Sequence, residues 1–215
     1  IDTKASIKNV GILDSYIDVS TVKNEAYGAA FAAYVKNWRE EYEVKEENYP
    51  VISGCFADTS VIVRGNFAGG MVSGTPSPIK IEDSYFVGKL IGGSRCGALL
   101  GNAFAPDSII RNCYACTADF DQIVDGRGDL IAAGNTYENV YTFGVAVGLG
   151  VTFVNADNMC GVNAKSGMPR LDYDKVWMTV DDTMPILRIF YPRIKRSATA
   201  TARKTRIDFV TNAEG

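Results

Sequence analysis

Few residues in this chain have types and spacings that could do chemistry. Four aspartates, Asp119, Asp121, Asp125 and Asp129, gather in one short stretch. Asp119 and Asp121 share a face if that stretch is extended, because side chains alternate along a strand. Paired carboxylates can act as acid and base in glycoside hydrolysis. The four are confined to one repeat, however, and its neighbours offer no matching acids. They read first as solvated turn aspartates.

The second candidate is Cys113-Tyr-Ala-Cys116, which has the C-x-x-C spacing of redox and metal sites. No second C-x-x-C follows it, and a redox pair usually sits at a helix N-terminus, which is missing here. The chain has five cysteines, Cys55, Cys96, Cys113, Cys116 and Cys160, an odd number that fits poorly with a complete disulfide framework. Histidine is absent, which excludes Ser-His-Asp, Cys-His and His-ligated zinc chemistry within this segment. The expectation is therefore no catalytic residue, no metal and no cofactor.

The third candidate is a binding site on the stretch 36–50, KNWREEYEVKEENYP, which carries Trp38, Tyr42, Tyr49 and five glutamates. Its aromatics could stack on a sugar or pack against a protein partner. Its acids would favour a cationic partner or calcium. The plainer alternative is a surface excursion whose aromatics pack on the wall behind it.

The elements that must position these residues form an internal repeat. Ile52-Ser-Gly-Cys-Phe, Ile81-Glu-Asp-Ser-Tyr and Ile110-Arg-Asn-Cys-Tyr begin successive units, each step 29 residues long. Ile7-Lys-Asn-Val-Gly is an earlier copy and Tyr137-Glu-Asn-Val-Tyr, 27 residues after Ile110, a later one. Each unit goes on to a small-residue turn with an aliphatic pair, such as Gly97-Ala-Leu-Leu-Gly. A period of this length indicates a solenoid or similar array. Ile52, Ile81 and Ile110 should stack inside as a ladder, and so should Met71, Leu99 and Leu130. Cys55 and Cys113 share a repeat position with Ser84 and Val140. A site that accepts Cys, Ser and Val is expected to be small and buried, with both thiols free.

The stretch Gly28-Ala-Ala-Phe-Ala-Ala could be helical by propensity. Its alignment with Gly97–Gly101 predicts strand instead. The 36–50 stretch lengthens the first step to 45 residues, so it is an insertion in a loop. Beyond Tyr137 the pattern loosens. The segment Val176-Trp-Met and Met184-Pro-Ile-Leu-Arg-Ile-Phe190 frames Asp181-Asp182 as a hairpin, placed to cap the open end of the stack. Residues 191–206 read as a linker and 207–215 as the start of a further β domain. The predicted fold is all-β, a right-handed parallel β-helix-like solenoid over residues 1–190 with a C-terminal strand or hairpin cap.

Net charge is −3 over 215 residues, which gives no nucleic-acid footprint. No apolar run is long enough to span a membrane. The missing initial Met and the immediate entry into a repeat suggest a segment of a longer chain, monomeric in itself.

The repeats resemble the GLUG motif, which occurs in tandem in bacterial surface proteins and some secreted peptidases. The first half reads IRNCYAC, IEDSYFVGK, VISGCFAD and IKNVGILDS, and the second CGALLGN, AGGMVSG and GDLIAAGN. VWMTVDDTMPILRIF resembles the tryptophan-and-proline strand that commonly follows such arrays. The resemblance covers roughly Ile7 to Phe190 and carries no catalytic residues. TRIDFVTNAEG is similar to the opening of the Listeria–Bacteroides surface repeat, although Ala213-Glu214 departs from its double glycine. The resemblance implies an extracellular module on a bacterial cell surface. Its expected role is adhesion or spacing, with a host or matrix protein or a glycan as partner. The alternatives are a carbohydrate-active β-helix enzyme and an accessory segment of a secreted peptidase.

Overall fold

The computed structural model describes residues 1–2, 4–21, 26–36, 44–103, 106–116, 134–143 and 150–191, with backbone alone at 92–95 and 102–103. Strands dominate, in three parallel sheets, and each sheet stacks the same part of successive repeats. In the first sheet Ser6–Lys8 pairs with Val51–Ser53, which pairs with Lys80–Glu82. The ladder continues through Ile109–Cys116 and Thr136–Phe143 to Val151–Phe153. Ile7, Ile52, Ile81, Ile110 and Tyr137 are register partners in turn, as the repeat spacing requires.

Tyr16–Asp18, Tyr27–Ala29, Ile62–Gly69 and Lys89–Gly97 form the second sheet. Ala32–Tyr34, Val72–Thr75 and Leu100–Ala103 form the third. The Gly28–Ala33 stretch thus contributes to two strands, because in-register pairing with the next repeat overrides local helix propensity. Gly69 and Gly70 turn the chain from the second sheet to the third. A Cβ on Gly69 would collide with the Val72 carbonyl, and one on Gly70 with the Ala98 carbonyl and the Phe86 ring. Only glycine fits that close an approach.

The interior is a column of aliphatic residues. Ile52, Ile81, Ile110, Met71 and Leu99 are fully buried, each worth about 1.5–3 kcal/mol on transfer from water. Leu130, expected in the same column as Met71 and Leu99, lies outside the described residues.

Each first-sheet strand bends at one residue with left-handed backbone: Asn9 (φ 56°), Gly54 (61°), Asp83 (46°), Asn112 (51°) and Asn139 (55°). Asn, Asp and Gly are the residues that tolerate this conformation. The five stack as a column. Asn139 Nδ2 donates to Asn112 Oδ1 at 2.9 Å, and the Asn112 side chain bonds the Asp83 carboxylate.

The C-terminal segment 155–191 corrects the expected cap. It contains three 3-10 turns (Ala156–Asn158, Gly161–Asn163, Arg188–Phe190), one helical turn (Ala164–Gly167) and an antiparallel hairpin of Trp177–Met178 with Ile186–Leu187. The hairpin is where the sequence places it, but the segment covers the flank of the first sheet rather than the end of the stack. The bend that turns Cys55 inward turns Phe56 outward, and the same holds for Cys113 and Tyr114 and for Val140 and Tyr141. The result is an outer aromatic column, Phe56, Tyr85, Tyr114 and Tyr141. Phe56 stacks on Tyr85 at 5.1 Å between ring centroids, and Tyr85 on Tyr114 at 4.9 Å. Trp177 lies 5.4 Å from Tyr114, and Phe190 packs edge-on against Phe56 at 4.9 Å. These rings, with Met159, Met168, Leu171 and Leu187, make a second core outside the sheet. Left exposed, the aromatic column would be a large apolar patch, and burying it is what holds the segment there. Among the described residues no helix is long and apolar enough to cross a membrane.

Candidate functional site

The C-x-x-C pair does not converge. Cys113 and Cys116 lie three residues apart on the strand Ile109–Cys116, so their side chains fall on opposite faces. Cys113 belongs to the interior core and Cys116 to the core under the C-terminal segment. Burial raises both thiols, Cys116 to about 12, away from the thiolate that redox and metal chemistry need. Cys55 and Cys113 are free and buried, as expected; Cys96, Cys116 and Cys160 are free as well, and only Cys160 has appreciable exposure.

Cys55, Ser84 and Cys113 occupy equivalent sites with a common task. Each donates across the left-handed bend to the carbonyl two residues back: Ser84 Oγ to Glu82 O at 2.7 Å, Cys113 Sγ to Arg111 O at 3.0 Å and Cys55 Sγ to Ser53 O at 3.3 Å. The position is small and buried, as the sequence indicates. Where the position holds Cys or Ser, the side chain also bonds across the bend, which periodicity alone does not reveal.

Two half-buried carboxyls are held above their usual range. Burial is the main cause at Asp58, offset by hydrogen bonds from Ser60. Burial also leads at Asp83, with nearby Glu82 and Asp172 adding to it. Each is engaged in joining repeats. Ser60 Oγ donates to Asp58 and accepts the Asp14 amide at 2.6 Å, tying the first two repeats together at a corner. Among the described residues no three His, Cys, Asp or Glu side chains come together as a metal site would need. Asp119, Asp121, Asp125 and Asp129 lie outside the described residues.

Of the proposed binding aromatics, Trp38 and Tyr42 also lie outside the described residues. Tyr49 is half-buried just after the 3-10 turn Glu46–Asn48. Its phenol is raised by burial first, then by the nearby carboxylates of Asp107 and Glu46. Glu46 pairs with Lys80 at 3.0 Å, and the Lys80 amide donates to Pro50 O at 2.9 Å. The returning end of the insertion is thus fastened to the following repeat.

At the other end the insertion leaves the third sheet just after Tyr34. Here the structure gathers aromatics that the sequence reading did not single out. Tyr27 stacks on Phe67 at 5.0 Å and meets Tyr34 edge-on at 5.1 Å. Gly74 lies beneath, where a Cβ would come within 2.8 Å of both tyrosine rings. Tyr34 is 36% exposed. The pairing brings them together: Tyr27 and Phe67 are register partners, and Gly74 is the partner of Tyr34. The strand Ala32–Tyr34 thus ends in an aromatic cluster.

No protein-family description, curated protein or solved structure matches this chain.

Proposed function

We propose that this chain is a non-catalytic repeat module of a bacterial cell-surface protein. In this reading it is a right-handed parallel β-helix-like solenoid of the GLUG-motif type, displayed outside the cell for adhesion or spacing. The observation that carries the proposal is the unbroken register of Ile7, Ile52, Ile81, Ile110 and Tyr137. Repeats stacked this way lengthen a rigid body by about 4.8 Å each. Their inward side chains are committed to stacking, which leaves recognition to outer faces and insertions.

The contact surface in this reading is the 36–50 insertion with Trp38, Tyr42 and Tyr49. Aromatic faces with nearby carboxylates suit a host or matrix glycoprotein or a glycan. The test is binding of the purified chain to immobilised glycans and matrix proteins, with and without calcium. The Trp38→Ala/Tyr42→Ala variant should lose binding and keep its circular dichroism spectrum. Turnover of a polysaccharide that is lost in Asp119→Asn or Asp121→Asn would replace the reading with an enzymatic one.

A further inference from the structure

Two thiols from different layers lie in the outer core. Cys55, Cys96 and Cys113 belong to the interior of the stack. Cys116 and Cys160 belong to the core under the C-terminal segment, Cys116 from the sheet and Cys160 from the covering segment. A short path of contacts links them. Cys116 follows Tyr114 by two residues, on the same face of its strand and about 7 Å along it. Tyr114 Oη donates to Pro185 O at 2.5 Å. Two residues before Pro185, Thr183 O accepts the amide of Gly161, the residue after Cys160, at 2.8 Å. The turn that carries Cys160 is thus fastened to the hairpin loop that Tyr114 also holds.

The electrostatics agree with that path. A charge on Cys160 adds to burial in raising both Tyr114 and Cys116. Cys160 is also the thiol that a reagent can reach. It is half-buried, between the fully buried Met159 and a turn whose Val162 is 74% exposed.

We propose that Cys116 and Cys160 form a reversible disulfide that staples the C-terminal segment to the first sheet. The oxidant is a small disulfide of the glutathione type. The Cys160 thiol gives its proton to solvent and attacks one sulfur of that disulfide, whose other half leaves as a thiolate and takes up a proton. Cys116 then loses its proton and attacks the Cys160 sulfur, releasing the second half as a thiol. Two protein thiols thereby lose two electrons and two protons, and the oxidant gains them. Cys116, pushed up to about 12 by burial, is the slower partner. Its attack is made within one molecule, which offsets the small thiolate fraction. In the reading given above the chain lies outside the cell, where such bonds persist. The bond is tested on the purified chain, so its failure would leave that reading standing.

The test exposes the full 215-residue chain to oxidised glutathione at about pH 8.5. The free-thiol count after denaturation should fall from five to three, and peptide mapping should find Cys116 joined to Cys160. The bond closes a loop of about 45 residues and should raise the thermal midpoint by about 5–15 °C, reversed by dithiothreitol. Cys160→Ser, at the half-buried site, should keep its circular dichroism spectrum and show no such rise. A thiol count that stays at five would overturn the proposal. So would glutathione left on Cys160 alone, a bridge to any other cysteine, or a Cys116–Cys160 bridge that leaves the midpoint unchanged.

Discussion

The Ser84 hydroxyl joins two repeats: it accepts the Cys55 amide at 3.1 Å while donating to the Glu82 carbonyl at 2.7 Å. Glu82 O also accepts the Gly54 amide at 3.1 Å, so it keeps a partner if the hydroxyl is removed. The Cys55 amide would lose the Ser84 acceptor. Ser84→Ala should cost about 1–3 kcal/mol, the penalty of a buried unsatisfied donor, and Ser84→Cys less. Urea midpoints of the two variants check this.

The outer core makes a second prediction. Trp177 is fully buried against Tyr85 and Tyr114, and Tyr114 Oη donates to Pro185 O at 2.5 Å. Trp177→Ala should destabilise by about 3–5 kcal/mol through lost burial and a cavity. Tyr114→Phe should cost about 1 kcal/mol, the net worth of one hydrogen bond. Both variants should bind a dye specific for exposed apolar surface more strongly than the parent, as the aromatic column is uncovered.

The column of left-handed residues makes a third. At Asn112, Gly should be tolerated nearly as well as Asn, apart from the bonds to Asn139 and Asp83. Asn112→Ala should cost about 1–2 kcal/mol more than Asn112→Gly, because a Cβ is disfavoured at φ 51°. Thermal melting of the two variants side by side gives the difference.

Asp83 supplies a pH dependence. Its carboxyl is raised in the folded chain chiefly by burial, so the fold favours the protonated form. Its contribution to stability is fully present below the ordinary aspartate range. It is lost as pH rises through the raised folded value. Asp83→Asn keeps a residue suited to positive φ and carries no charge. It should match the parent near pH 3 and exceed it at pH 7, as read from urea midpoints across that range.

Much of the fold was legible because period and register carry it. The starts at Ile52, Ile81 and Ile110 fixed the first sheet, and alignment with Gly97–Gly101 identified the strands within Gly28–Ala33. The place of the C-terminal segment was harder to see. Phe56, Tyr85, Tyr114 and Tyr141 recur at one position, but a recurring aromatic does not say whether solvent or another layer covers it. The left-handed bend decides which way that position faces, and it shows in the sequence only as a recurring Asn, Asp or Gly. The same bend explains why Cys and Ser interchange at the buried site. The aromatic cluster of Tyr27, Phe67 and Tyr34 rests on residues 40 positions apart, Tyr27 and Phe67, which meet only through pairing of the second sheet.

The stacking itself can be measured most directly by pulsed electron paramagnetic resonance. Spin labels would be placed at Lys8→Cys and Glu138→Cys in a Cys160→Ser background, diluted with unlabelled chain so that only pairs within one molecule contribute. These outward positions share one register column through Ser53, Glu82 and Arg111. Four strand spacings put their backbones about 19 Å apart. A single narrow distribution near that value, widened only by the label arms, is the predicted result. A broad distribution, or one centred beyond about twice that spacing, would contradict the in-register stack of repeats.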